Sequence, residues 1–130
     1  MKTTAARRPA AGGATVTSRA SSTRSTDVRK AINEMVRRIV KEFDPEQVIL
    51  FGSHARGTAG PDSDVDLLVV LPVRGLKRDK QLEIRAALHD VRLPKDIIVT
   101  TPEDFAWRKE IPGTIERPAA REGKVLYVRP

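Results

Sequence analysis

The sequence predicts a small α/β domain with a mixed β-sheet of about four strands flanked by helices. Three observations lead to this fold class. Apolar residues recur at helical spacing in several segments, short β-branched runs end at glycine or proline, and the two patterns alternate along the chain. The length of 130 residues fits one domain. The predicted order of elements is helix, strand, strand, helix, strand, helix, strand.

The first 25 residues differ in composition from the rest of the chain. They consist mainly of Ala, Thr, Ser, Arg and Gly, and Val16 is the one larger aliphatic residue after Met1. Such a segment cannot bury enough apolar surface to offset the entropy of ordering. We therefore predict a disordered basic tail over residues 1–25 and a folded domain over residues 26–130. An acid-free tail rich in Arg and Ser is also typical of an organelle transit peptide, which is a second, less favoured interpretation.

The charge distribution argues against a dedicated nucleic-acid-binding domain. The net charge of +7 includes five basic residues of the tail, whereas all 17 acidic residues lie from Asp27 onward. The domain is close to neutral, so nucleic acid is expected to bind at most weakly, through the tail.

No apolar run approaches the ~20 residues of a membrane span. The chain has no cysteine, which excludes disulfides and zinc–thiolate sites and fits a reducing, cytoplasmic compartment.

The first predicted helix begins at a cap formed by Ser25 or Thr26 and ends before Pro45. Its apolar residues fall at helical spacing, namely Val28, Ile32, Met35, Val36, Ile39, Val40 and Phe43. A short apolar strand over Gln47–Phe51 follows and stops at a glycine. Residues 52–63 are rich in Gly, Ser and Pro, so they predict a functional loop with at most one helical turn.

The second predicted strand, Val65–Leu71, is apolar on both faces, which is typical of a central strand in a covered sheet. An amphipathic helix over Leu76–Val91 and a third strand over Ile97–Thr100 follow it.

The C-terminal segment predicts a helix start, a weak helical stretch and a last strand. Thr101–Asp104 has the features of a helix start: a threonine cap, a proline in the first turn, and acids at the positive end of the helix dipole. A weak helix over Gly113–Gly123 is expected to be split or shortened by Pro118. Lys124–Arg129 has the pattern of an edge strand.

Two polar features flank the loop over residues 52–63. Gly52 and Ser53 follow the first strand, while Asp64 and Asp66 stand where the second strand begins. Residues i and i+2 of a strand point to the same face, and two neighbouring carboxylates are costly unless a cation lies between them. An oxygen-preferring divalent cation, Mg²⁺ or Mn²⁺, suits that position. The Gly-Ser turn offers backbone N–H groups and a hydroxyl, which predict a phosphate cradle.

Asp96 is a third candidate acid, at the start of the strand D-I-I-V. If this strand lies beside the second strand in register, Asp96 joins Asp64 and Asp66, and three carboxylates suit a two-metal site for phosphoryl transfer. An EF-hand loop would need glycine where Leu67 stands, and a P-loop would need a Gly-Lys-Ser/Thr run that is missing. A solvated-turn or helix-capping role for the acids is less favoured, because it does not explain acids that open a buried strand.

The block G-S-H-A-R-G followed by S-D-V-D-L resembles the nucleotidyltransferase superfamily of polymerase beta. The small size of the domain and the ending E-G-K-V-L-Y resemble the minimal nucleotidyltransferases of prokaryotes, over roughly Thr26–Val128. This resemblance implies that Gly52 and Ser53 contact the phosphates of ATP. It also implies that Asp64, Asp66 and Asp96 bind Mg²⁺ or Mn²⁺ and are the catalytic acids.

The resemblance also implies an acceptor. Many minimal nucleotidyltransferases are antitoxins that transfer AMP from ATP to a tyrosine of a partner RNase toxin with a HEPN domain. The alternatives are a non-catalytic module that inhibits its partner sterically, and a nucleotidyltransferase that acts on a small molecule. Arg56 matches the arginine of the G-S-x-A-R-G block, and its role is either a phosphate contact or an ion pair within the protein.

Two further residues have less specific predicted roles. His54 lies inside the loop, and a contact with the loop or its backbone is favoured over a contact with the nucleotide. Trp107, close to Phe105, is expected to pack in the core rather than to anchor a partner, because the domain has few other aromatic residues.

Overall fold

A computed structural model describes the backbone of residues 13–130 and the side chains of residues 27–130. The elements are α1 (Gly13–Phe43), β1 (Gln47–Phe51), α2 (Ser53–Arg56), β2 (Val65–Val70), α3 (Lys77–Ala87), β3 (Lys95–Thr100), α4 (Pro102–Arg108), α5 (Glu116–Glu122) and β4 (Lys124–Val128). The predicted α/β class with four strands flanked by helices is confirmed.

The four strands form one mixed sheet in the order β3-β2-β1-β4. The first two strands are antiparallel, β2 and β3 are parallel, and β4 pairs antiparallel with β1. β2 is therefore an inner strand, as its apolar sequence predicts, and five of its six residues are buried. β4 lies at one edge of the sheet, also as predicted.

Alternation along the strands sends side chains into two cores, one on each face of the sheet. Helices α1 and α3 cover one face with buried residues that include Met35, Ile39, Ile84 and Leu88, which pack with Val48, Leu50, Val65, Leu67, Val69, Ile97 and Val99. Helices α4 and α5 cover part of the other face, where Phe105 and Ala119 pack with Ile49, Leu68 and Val70. Because strand residues alternate between faces, Asp66 and Asp96 share the second face with Leu68 and Ile98.

Helix α1 begins earlier than the sequence predicts. The structure places its start at Gly13 rather than at Ser25 or Thr26, so its first half runs through part of the segment predicted as a disordered tail. No proline interrupts residues 13–43, so the helix nucleated by the packed Val28–Phe43 half can continue toward the N-terminus, although the Ser and Thr residues there are weak helix formers. The remainder of the predicted tail, residues 1–12, lies outside the described residues, and the domain boundary at residue 26 stays a prediction.

The shorter helices follow their local signals. α2 is the single helical turn allowed for in the loop. At the start of α4 the Thr101 hydroxyl accepts a hydrogen bond from the backbone N–H of Asp104 at 3.1 Å, which confirms the predicted cap. α5 is shortened rather than split, because Pro118 is its third residue and lies in the first turn, where a backbone N–H has no partner within the helix.

The two aromatic residues of α4 have different surroundings. Phe105 is buried, whereas 55% of Trp107 is exposed, so the prediction that Trp107 packs in the core is wrong. The two residues are two positions apart on a helix and therefore point in different directions, and the sheet is on the Phe105 side. The Trp107 indole N–H donates to Asp104 Oδ1 at 3.3 Å.

Among the described residues, no helix has the length and apolar character that a membrane crossing requires.

Candidate active site

Gly52 lies directly against Asp66, where β1 ends beside the start of β2. The register pairs Phe51 with Asp66, and Gly52 follows with φ 75° and ψ −157°, a conformation open almost only to glycine. A Cβ atom at this position would lie 2.2 Å from Asp66 Oδ2. Glycine is therefore required both by the backbone conformation and by the approach of the carboxylate.

Ser53 opens the single turn of α2, one residue beyond that contact. The carbonyl oxygen of Gly52 accepts from the backbone N–H groups of Ala55 and Arg56, both at 3.1 Å. Buried Ala55 anchors the turn in the core covered by α1. The Gly52–Ser53 turn is thus held in place from both sides, and Ser53 is partly exposed beside the start of β2.

The second and third acids are neighbours in the sheet. The parallel register pairs Asp66 with Asp96, so the condition set for Asp96 from the sequence is met. Asp64 precedes β2 and is exposed. Burial raises the pKa of Asp66 above its usual value, and the negative charges of Asp96 and Asp64 raise it further, while His54 and Arg56 act in the opposite direction. The structure therefore brings the three predicted acids into one electrostatic cluster.

The three acids fit a divalent cation in chemistry, although their side chains do not converge on one point. Carboxylate oxygens are the ligands that Mg²⁺ and Mn²⁺ prefer, and mutual repulsion favours a cation between them. Within residues 27–130, however, no three acidic or histidine side chains are arranged to hold a metal ion. Asp96 Oδ1 instead accepts a hydrogen bond from Arg85 Nη2 at 2.6 Å, and Arg85 is a residue that the sequence analysis missed.

Arg56 makes the ion pair that was one of its two predicted roles. Its Nη1 lies 3.8 Å from Glu122 Oε1 at the end of α5, and both side chains are about half exposed. A long, solvated contact of this kind contributes little to stability. The guanidinium also lies near enough to Asp66 to oppose the rise in its pKa.

His54 ties the ends of the loop over residues 52–63 together, in agreement with the role favoured from the sequence. Its Nε2 lies 3.2 Å from the carbonyl oxygen of Ser63, the residue before Asp64. This contact helps to fix the chain between the Gly52–Ser53 turn and the acids. A groove of about 840 Å³ passes His54 on the face covered by α1, and none of the three acids lines it.

Glu116 is a buried acid that the sequence analysis also missed, and its contacts are structural. Its Oε2 accepts from the Thr100 hydroxyl at 2.7 Å, and its Oε1 accepts from Arg108 Nε at 3.1 Å. These contacts join β3, α4 and α5. Although burial raises the pKa of Glu116, hydrogen bonds from Thr100, from its own backbone and from Arg108 hold it below the usual value.

Comparison with known families gives one match that covers most of the chain. A family model described as "Nucleotidyltransferase domain" matches residues 32–120. This range includes the Gly52–Ser53 turn and all three candidate acids.

A curated relative shares a shorter segment. "Putative protein adenylyltransferase MJ1305" of Methanocaldococcus jannaschii is 45% identical over 56 residues, which cover 39% of this chain. The match spans 38% of the length of that relative.

One solved structure shares the fold, and a second gives a weaker match. A crystal structure described as a putative nucleotidyltransferase from Sulfolobus solfataricus superposes with a TM-score of 0.52 at 24% identity, and the match covers 81% of this chain and 86% of that one. A structure of a toxin–antitoxin with AMP-PNP is more distant, with a TM-score of 0.46, 18% identity, and coverage of 74% and 73%.

Proposed function

The chain belongs to the nucleotidyltransferase domain family, and from this premise we propose that it transfers AMP from ATP to a hydroxyl group of a partner protein. The observation that carries the proposal is the contact of Gly52 with Asp66, which in turn pairs with Asp96 in the sheet. A turn able to bind phosphate thus lies against acids able to bind a metal.

In this proposal Asp64, Asp66 and Asp96 hold Mg²⁺ or Mn²⁺, and ATP is the substrate. The cation, when bound, neutralises phosphate charge and lowers the pKa of the acceptor hydroxyl. Gly52 allows the Asp66 carboxylate to lie against the turn, because a Cβ at this position would collide with Asp66 Oδ2, so a cation held by Asp66 would stand beside phosphates bound at the turn. The Ser53 hydroxyl and the backbone of the turn orient the phosphates.

Arg56 is proposed as a further phosphate ligand. Its ion pair with Glu122 is long and half exposed, so little is lost when the guanidinium turns toward a phosphate. Arginine binds phosphate oxygens through two parallel hydrogen bonds, which a carboxylate 3.8 Å away does not match in strength.

The acceptor is proposed to be a tyrosine of a HEPN-type RNase toxin, with this chain as the antitoxin in the cytoplasm. The Gly52–Arg56 and Asp64–Asp66 motifs support this through their resemblance to minimal nucleotidyltransferases. The openness of the site supports a macromolecular acceptor, because Asp96 is 44% exposed. The name of the relative from Methanocaldococcus jannaschii, a protein adenylyltransferase, agrees with a protein acceptor.

The test is incubation of the full chain with ATP, Mg²⁺ and a HEPN-domain toxin as the candidate partner, followed by intact mass measurement of that partner. We expect addition of one or more AMP units, and their loss in Asp64→Asn. Asp62→Asn is the matched control, because Asp62 is an exposed acid of the same loop with no proposed role. A partner that is bound and inhibited but unmodified would replace the proposal with steric inhibition, and efficient modification of a small molecule would replace it with a small-molecule transferase.

A further inference from the structure

Arg85 is placed beside the candidate acids by two rigid parts of the fold. It belongs to the last turn of α3. Its neighbours Ile84 and Leu88 are fully buried and anchor this turn in the core. Asp96 lies at the start of β3 and is fixed by pairing with β2. The Arg85–Asp96 contact therefore joins two well-anchored backbones, with Arg85 Nη2 2.6 Å from Asp96 Oδ1.

The contact distinguishes Asp96 from the other two acids. Among the side chains of residues 27–130, neither Asp64 nor Asp66 forms an ion pair, although both contribute negative charge to the same cluster. Arg85 thus supplies a positive charge to the cluster through one carboxylate. Since Arg85 and Asp96 are 46% and 44% exposed, water weakens their attraction, and a doubly charged ion can compete for the same oxygen.

We propose that Arg85 is an internal counter-ion of Asp96 that competes with the divalent cation and so weakens metal binding at the site. The inference rests on the proposed function, because it takes Asp64, Asp66 and Asp96 as the metal ligands. One oxygen of Asp96 accepts from Arg85, so this oxygen is engaged by a guanidinium that a cation would have to displace. A cation held jointly by Asp96 and Asp66, its neighbour in the sheet, would have to compete with Arg85 for the Asp96 carboxylate. Arg85 is therefore a positioning residue that sets how tightly the site holds a metal.

The test is calorimetric titration of Mn²⁺ into the nucleotide-free full chain, for the wild type and for three variants. Arg85→Gln removes the competing charge, so Mn²⁺ should bind about fivefold more tightly, the change that corresponds to an exposed ion pair. Arg85→Lys keeps a cation and should stay close to the wild type. Arg129→Gln is the matched control: it removes one positive charge from an exposed arginine–aspartate pair, with Asp44, far from β3 in the sheet order. It should leave Mn²⁺ affinity unchanged.

The outcomes separate this inference from the proposed function. If the wild type binds Mn²⁺ and Arg85→Gln binds it equally or more weakly, the counter-ion role is wrong while the metal site stands. If Arg85→Gln keeps the Mn²⁺ affinity but loses affinity for ATP, Arg85 is a phosphate ligand instead, which also overturns the inference. If neither the wild type nor any variant binds Mn²⁺ at millimolar concentration, both the metal assignment and the counter-ion role fail. Thermal unfolding of each metal-free variant checks that all four proteins are folded.

Discussion

A cluster of three carboxylates and a single buried carboxylate lie at opposite ends of β3, and their surroundings shift the pKa in opposite directions. Near its start, Asp66 lies beside Asp96 and Asp64, and burial together with their charges raises its pKa. At its end, Glu116 is only 5% exposed, yet its pKa is lowered, because Thr100 and Arg108 donate hydrogen bonds to it. The more buried acid is thus the one whose charged form the protein stabilises.

The difference separates an acid with structural contacts from the acids to which the proposed function assigns a metal. Glu116 has its donors supplied by the chain, so its charge is satisfied within the protein and stabilises the packing of α4 and α5 on the sheet. Asp64 and Asp66 are held close to like charges, which costs stability unless a cation is added. Uncompensated carboxylates in a partly open site are typical of function rather than of packing.

The largest expected effect is on catalysis, from Asp66→Asn. We expect AMP transfer to fall about 10³-fold, because a lost metal ligand removes roughly 4 kcal/mol of transition-state stabilisation. The metal-free variant should be at least as stable as the wild type, since a source of repulsion is gone. Transfer assays and urea unfolding measure the two effects. A variant that unfolds would show that Asp66 is structural, like Glu116, and would contradict the distinction between the two acids.

Gly52→Ala should disturb the site, because Gly52 lies directly against Asp66. The substitution forces an unfavourable backbone conformation and pushes a Cβ into Asp66 Oδ2, so we expect about 3 kcal/mol of destabilisation and about a 100-fold loss of transfer. Gly57→Ala is the matched control, because Gly57 also has positive φ but a Cβ added there would meet no atom within 4 Å. It should cost about 1 kcal/mol and leave transfer unchanged. Equal losses in the two variants would mean that the contact with Asp66 is unimportant.

Glu116→Gln should affect stability and not chemistry. Gln keeps the size of the side chain but removes the negative charge of the carboxylate that accepts from Arg108. We therefore expect about 1–2 kcal/mol of destabilisation, measured by urea unfolding. Transfer per folded molecule should match the wild type. A large catalytic loss at full folding would place Glu116 in the active site and remove the distinction between the two acid groups.

The smallest expected effects are opposite responses to pH. The pKa of Glu116 is lowered from its usual 4.5. Its contribution to the free energy of unfolding is therefore present above pH 4.5 and is lost as pH falls through the folded-state pKa. The pKa of Asp66 is raised from its usual 3.8. Its contribution to the free energy of unfolding is therefore present below pH 3.8 and is lost as pH rises through the folded-state pKa.

Unfolding of the wild type, Asp66→Asn and Glu116→Gln between about pH 3 and about pH 7 measures both responses. As pH rises, Asp66→Asn should gain stability relative to the wild type, and Glu116→Gln should lose it. Parallel responses of the two variants would contradict the assignment of opposite environments.

Much of the site was predictable because its signals are local in the chain. Gly52 stops one strand and Asp66 opens the next, so a hairpin-like connection of two antiparallel strands brings them together whatever the rest of the fold does. Alternation along β2 then fixes the face on which Asp66 lies. Asp96 needed one further assumption, that β3 lies parallel to β2 in register, and the structure bears it out.

Tertiary structure alone decided the partners of the charged side chains and the surroundings of α4. The sequence determined the element types, the inner position of β2, the Thr101 cap and the Gly52–Asp66 juxtaposition, because each depends on a few adjacent residues. It did not determine that Arg85 reaches Asp96, that Arg108 and Thr100 enclose Glu116, or that Trp107 faces outward. Those outcomes depend on how helices rotate and dock on the sheet. A long, flexible side chain has several possible partners in the sequence. The packing of the helices on the sheet determines which of them is within hydrogen-bond distance.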